Sequence, residues 1–196
     1  MNKNRLILVM DVALVAALAL IISNLDYPYY QTFADYWEEE RAEYLRSAVS
    51  MLWLISLWLG LYRPFDGADR VTPPVALLGA GRVLCALATS WATRLVISHP
   101  VALLSQQIYG GLLMVSVVVD YLLLLFLGRA NADAPHCVAA SRRWRGVLLG
   151  AFAILAAGIV LADVWSRRAV WISAAVAGAY LLAFAMTSRT GAGKEE

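Results

Sequence analysis

Asp11, Arg82 and Asp120 are ionisable residues set inside long apolar runs. A charge in hydrocarbon is costly, so such residues face a bundle interior, water or one another. A buried carboxylate can pair with an arginine, attract a cation, or take up a proton, because burial favours its neutral form. Two Asp and one Arg leave one negative charge unmatched. Arg5, six residues before Asp11, can lean toward it along its flexible stem. The same three charges would also serve to pin helix packing and conduct nothing.

Other reactive side chains form no comparable set. His99 and His136 are far apart and adjoin prolines, as turn residues do. Cys85 sits in an apolar run and Cys137 in a polar stretch, which makes neither a disulfide framework nor a metal site. Asp66 and Asp69 lie three apart in the charged turn from Arg63 to Arg70. The acidic run Asp35, Glu38, Glu39, Glu40 and Glu43 is preceded by Tyr27, Tyr29, Tyr30, Phe33, Tyr36 and Trp37. It has no nucleophile or cofactor motif beside it. The expectation is no enzyme, with catalytic, cofactor-binding and metal-binding residues all none.

The elements that position these charges follow from composition. Of 196 residues, 61% are hydrophobic and 15% charged, against roughly 25% charged in soluble domains. The apolar residues fall in blocks near the roughly 20 residues that cross a bilayer. An all-α integral membrane protein with six transmembrane helices is predicted, as one domain over 1–190 and a short polar tail over 191–196. The expected spans are 5–23, 44–62, 74–97, 101–127, 146–163 and 169–187. Asp11 makes the first run a poor signal peptide and a better retained helix. The barrel alternation that strands would need is absent. A net charge of +2 without a basic stripe gives no nucleic-acid partner.

Lys and Arg set sidedness. With the N-terminus inside, the inside segments carry Lys3, Arg5, Arg63, Arg70, Arg129, Arg142, Arg143, Arg145, Arg189 and Lys194. The outside segments carry only Arg41, Arg46, Arg167 and Arg168. Both termini are therefore expected in the cytoplasm, in the cell membrane. Trp144, Trp165 and Trp171 near span ends are expected at the interface. At 1.5 Å per residue, Asp11 lies about 9 Å, Arg82 about 13 Å and Asp120 about 10 Å from the inner ends of their helices. That common depth predicts one charge network of Arg5, Asp11, Arg82 and Asp120. Ala-rich and Gly-rich helices, with Gly79 and Gly81 beside Arg82, permit close helix approach and oligomers.

Arg5, followed after five residues by Asp11, resembles the first-helix signature of the TMEM175-type potassium channel family. Val9 and Met10 stand where that family has Phe and Ser. Trp58, Arg63 and Phe65 resemble its second-helix pattern without the paired His. Pro100 before the fourth helix and the Arg142, Arg143, Arg145 cluster before the fifth are also similar. The resemblance implies a homotetramer in the bilayer that passes potassium or other monovalent cations. It implies a pore lined by the first helices, with Ala16 at the constriction position and Ala19 and Leu20 one turn on as further pore-lining positions; with a small residue at Ala16, the alternatives are a wider ring there or a constriction moved to Leu20. The alternatives are a non-conducting membrane scaffold or partner subunit, and a small-solute or proton-coupled transporter.

Overall fold

The computed structural model describes residues 3–25, 33–100, 102–164 and 169–190, with the backbone alone at 33–39, 163, 164 and 187–190. The chain forms α1 (Lys3–Ser23), α2 (Phe33–Asp66), α3 (Pro73–Ser98), α4 (Leu103–Ala130), α5 (Pro135–Val164) and α6 (Ala169–Thr190). Six helices among the described residues are long and apolar enough to cross a membrane. The protein is a multi-pass, all-α membrane bundle.

Two helices outrun their expected spans. α2 has 34 residues, about 51 Å of rod, and α5 has 30, about 45 Å. Both exceed the roughly 30 Å hydrocarbon layer. The apolar run locates only the part of a helix that sits in lipid. Alanine, glutamate and arginine propagate a helix beyond it without raising its hydropathy. Thus the helical backbone of α2 takes in the acidic run from residue 35. α5 starts at Pro135, where a missing N–H costs nothing. The arginines 142, 143 and 145 therefore lie within α5 rather than in a loop before it. Cys137, expected in a polar stretch, is fully buried in the first turn of α5, and its thiol donates to the Pro64 carbonyl at 3.3 Å.

α2 packs against all five other helices, whereas α1 touches only α2 and α3 among the described residues. α3, α4, α5 and α6 follow one another around α2, each packed on the next. Polar side chains tie this arrangement together inside the apolar core. Thr93 of α3 donates to Ser50 of α2 at 2.8 Å, and Ser50 shares a 2.9 Å hydrogen bond with Tyr109 of α4. The Trp53 indole donates to Ser116 at 3.3 Å, and Ser56 donates to the Gly178 carbonyl at 3.0 Å. Such bonds between membrane helices contribute on average about 0.6 kcal/mol each. Together they fix which helix faces which, a choice that interchangeable apolar contacts leave open.

The turn between α2 and α3 is held by one side chain. Asn131, just past α4, accepts from the backbone N–H of Asp69 and of Arg70, both at 2.8 Å. Its amide donates back to the Arg70 carbonyl at 3.0 Å and the Leu127 carbonyl at 2.9 Å. A buried amide with all four bonds made is rigid.

Small residues set two close approaches. A Cβ on Gly79 would lie 2.6 Å from Leu6, so α1 sits directly on α3 there. Gly81 has only Val119 nearby, at an ordinary 3.7 Å. A Cβ on Gly60 would fall within the Trp144 ring, 1.7 Å from Cζ2. Trp144 is consequently buried in the bundle at 4% exposure. The indole fills the space that Gly60 leaves. Trp171 is half-buried against the core. Trp165, Arg167, Arg168 and the aromatic residues at 27, 29 and 30 lie outside the described residues.

Candidate functional site

α1 presents two faces. Leu6, Met10, Ala13, Ala17 and Ile21 recur at helical spacing and are buried against α2 and α3. Leu8, Val9, Val12, Val15, Ala16, Ala19 and Leu20 are exposed on the opposite side. All three sequence-derived lining positions, Ala16, Ala19 and Leu20, thus share one outward stripe. α1 has the smallest buried share of the six spans.

The intramembrane charges resolve into two settings. Arg82 of α3 and Asp120 of α4 form a buried ion pair, Nε to Oδ1 3.2 Å, with side chains 6% and 0% exposed. Each is roughly 13 to 15 Å from the helix end on the N-terminal face of the bundle. Asp11 takes a different partner. The Trp58 indole N–H of α2 donates to Asp11 Oδ1 at 2.7 Å. Arg5 is exposed and makes no ion pair with Asp11. Trp58 stands between the two settings. One small cavity beside it is lined by Asp11 and Tyr62, and another by Arg82 and Val83. The four residues therefore lie toward one end of the bundle, and Trp58 lines both the cavity at Asp11 and the cavity at Arg82.

An N–H donor suits the Asp11 position. A tryptophan stabilises a carboxylate through one hydrogen bond and brings no second charge. Its ring meanwhile packs on Tyr62, with centroids 6.0 Å apart. Sequence reasoning named both Asp11 and Trp58 but not their contact, since charge matching ranks arginines above indoles. The Ser50–Thr93–Tyr109 cluster and Asn131 were not singled out either. Hydroxyl residues at helical spacing inside apolar runs, such as Ser47, Ser50, Thr89 and Thr93, were the available signal.

The C-terminal half of α1 is tied by a further bond. Ser90 of α3 donates to the Ala17 carbonyl at 2.8 Å. The buried side of α1 is therefore anchored at Asp11 and at Ala17, and its outward stripe has no covering element among the described residues. A stripe of this kind can meet lipid or a second copy of the same helix. No group of His, Cys, Asp and Glu among the described residues is arranged to hold a metal.

The fold has a solved counterpart. The chain superposes on the crystal structure of a lysosomal potassium-selective channel TMEM175 homolog from Chamaesiphon minutus with a TM-score of 0.68. The match covers 95% of this chain and 97% of that one, at 19% identity. This chain shares that fold over nearly its whole length. No family model and no curated protein matches the sequence.

Proposed function

We propose that the protein is one subunit of a monovalent-cation channel, a homotetramer whose pore is lined by α1 of each copy. The observation that carries this reading is the outward stripe of α1. It is continuous, apolar, unshared with any other helix of the bundle, and contains Ala16, Ala19 and Leu20. The fold shared with a potassium-selective channel homolog supports the same assignment. Potassium is the ion we assign. The mechanism is passive conduction, with no covalent step. Four such stripes around an axis enclose a hydrophobic constriction, which closes by expelling water rather than by moving a plug. Leu20 is the bulkiest of the three lining positions and forms the narrowest ring.

The charged residues support the pore from behind. Trp58 holds Asp11, and so sets the rotation of α1 that turns Ala16 and Leu20 outward. Arg82 and Asp120 fix α3 against α4. Both termini are assigned to the cytoplasm by the concentration of arginines at that end of the bundle.

Potassium and sodium flux through purified protein in liposomes tests the assignment, with Leu20→Asn at matched incorporation. Potassium flux should be present and should rise in L20N, because a polar ring stays wet. Flux unchanged by L20N but abolished by Asp120→Asn would move the pathway into the single subunit, as in a transporter. No flux from either protein, with folding and orientation verified, would favour a non-conducting scaffold.

A further inference from the structure

A cavity of about 230 Å³ lies between the end of α2, the start of α5 and the end of α6. Arg63, Pro64, Arg143, Trp144 and Phe184 line it. Liquid water occupies about 30 Å³ per molecule, so the space would hold several waters or one compact polar group. Its chemistry has one sign. The two guanidiniums have no acidic partner among the described residues, and no carboxylate lines the cavity. The indole N–H of Trp144 is buried and lacks a hydrogen-bond partner among the described residues. Every polar hydrogen of these side chains is a donor. The cation of Arg143 also rests 4.9 Å above the Phe184 ring, which holds it at the cavity wall.

The cavity's position selects the kind of anion. Its lining residues are about 3 to 14 Å in from their helix ends, at 1.5 Å per residue. Two of the three helices that form it are apolar spans longer than the hydrocarbon layer, and Leu59 and Ala185 continue the wall on its apolar side. A ligand here needs a negative head for the arginines and an apolar body for the surrounding lipid. Arginine forks match phosphate oxygens two at a time. Basic pockets between transmembrane helices bind anionic headgroups for these reasons.

We infer that this cavity is a binding site for the phosphate headgroup of an anionic phospholipid, held by Arg63 and Arg143. The site is separate from the outward stripe of α1 and does not depend on conduction.

Native mass spectrometry of the full-length protein, titrated with dioleoyl phosphatidylglycerol or dioleoyl phosphatidylcholine, tests it. The anionic lipid should bind more tightly, with each arginine contributing about fivefold. Arg63→Gln and Arg143→Gln should each remove about that factor, and the double variant should bind both lipids alike. Arg142→Gln, an exposed neighbour that does not line the cavity, should keep the preference. The single variants change side chains outside the core, so they remain readable even if the double variant does not fold. Equal binding of the two lipids would overturn the site, as would a preference that survives in folded R63Q and R143Q. Glycerol phosphate displacing the lipid at equal concentration would show a site for the soluble phosphate instead, and would also overturn it.

Discussion

The Arg82–Asp120 pair shows what a charge in a membrane bundle requires of its neighbours. Removing one partner leaves the other buried and uncompensated, which costs about 3–5 kcal/mol in protein interiors. Asp120→Ala should therefore destabilise the bundle by about that amount, read by denaturant unfolding in detergent. The double variant Arg82→Met, Asp120→Leu should recover most of the loss, since a packed apolar pair is often no worse than the ion pair. A double variant as unstable as D120A would mean that the charges do more than neutralise each other. Counting depth from the helix ends put Arg82 and Asp120 at one level, but as part of a network with Arg5 and Asp11 rather than as a pair of their own. Asp11 was legible as a buried charge, but its partner was not. Nothing in residue type marks Trp58 as a donor to a carboxylate until the rotation of α1 against α2 is known.

Single glycines decide how closely the helices approach. At Gly60 there is no room for even a methyl group beside the Trp144 ring. Gly60→Ala should cost about 1–3 kcal/mol through overpacking. Adding Trp144→Leu should give part of that back, because the shorter side chain vacates the space. A simple sum of the two losses in the same unfolding assay would refute the seat. The element scale is also where sequence reading fell short. Apolar runs placed all six helices, yet α5 begins eleven residues before the expected Gly146. Arginine is a good helix former with a low hydropathy, so the first turns of α5 read as a loop. The same blind spot hid the burial of Cys137 and Trp144 within the bundle. Both are buried because α5 reaches back across α2.

At the scale of the whole molecule, the proposed assembly rests on the asymmetry of α1. It packs on two neighbours and leaves a full apolar stripe outside. Ala16→Cys, placed in a Cys85→Ala, Cys137→Ala background, should cross-link copies to one another with a short bifunctional thiol reagent. Val176→Cys, on the exposed side of α6, should not. A folded oligomer that cross-links through Val176 and not through Ala16 would move the symmetry axis away from α1. Three hydrogen bonds among the described residues hold the inward side of α1. Lys3 donates to the Asp66 carbonyl at 3.1 Å, Trp58 to Asp11, and Ser90 to the Ala17 carbonyl. They are spread along the rod, and Leu6 sits in the notch at Gly79 between the first two. Spinning α1 about its long axis would break all three ties and unseat Leu6. Tilting it together with α2 and α3 would break none of them. Rolling α1 is therefore opposed at three levels along the rod, and that opposition keeps Ala16, Ala19 and Leu20 together on its outer edge.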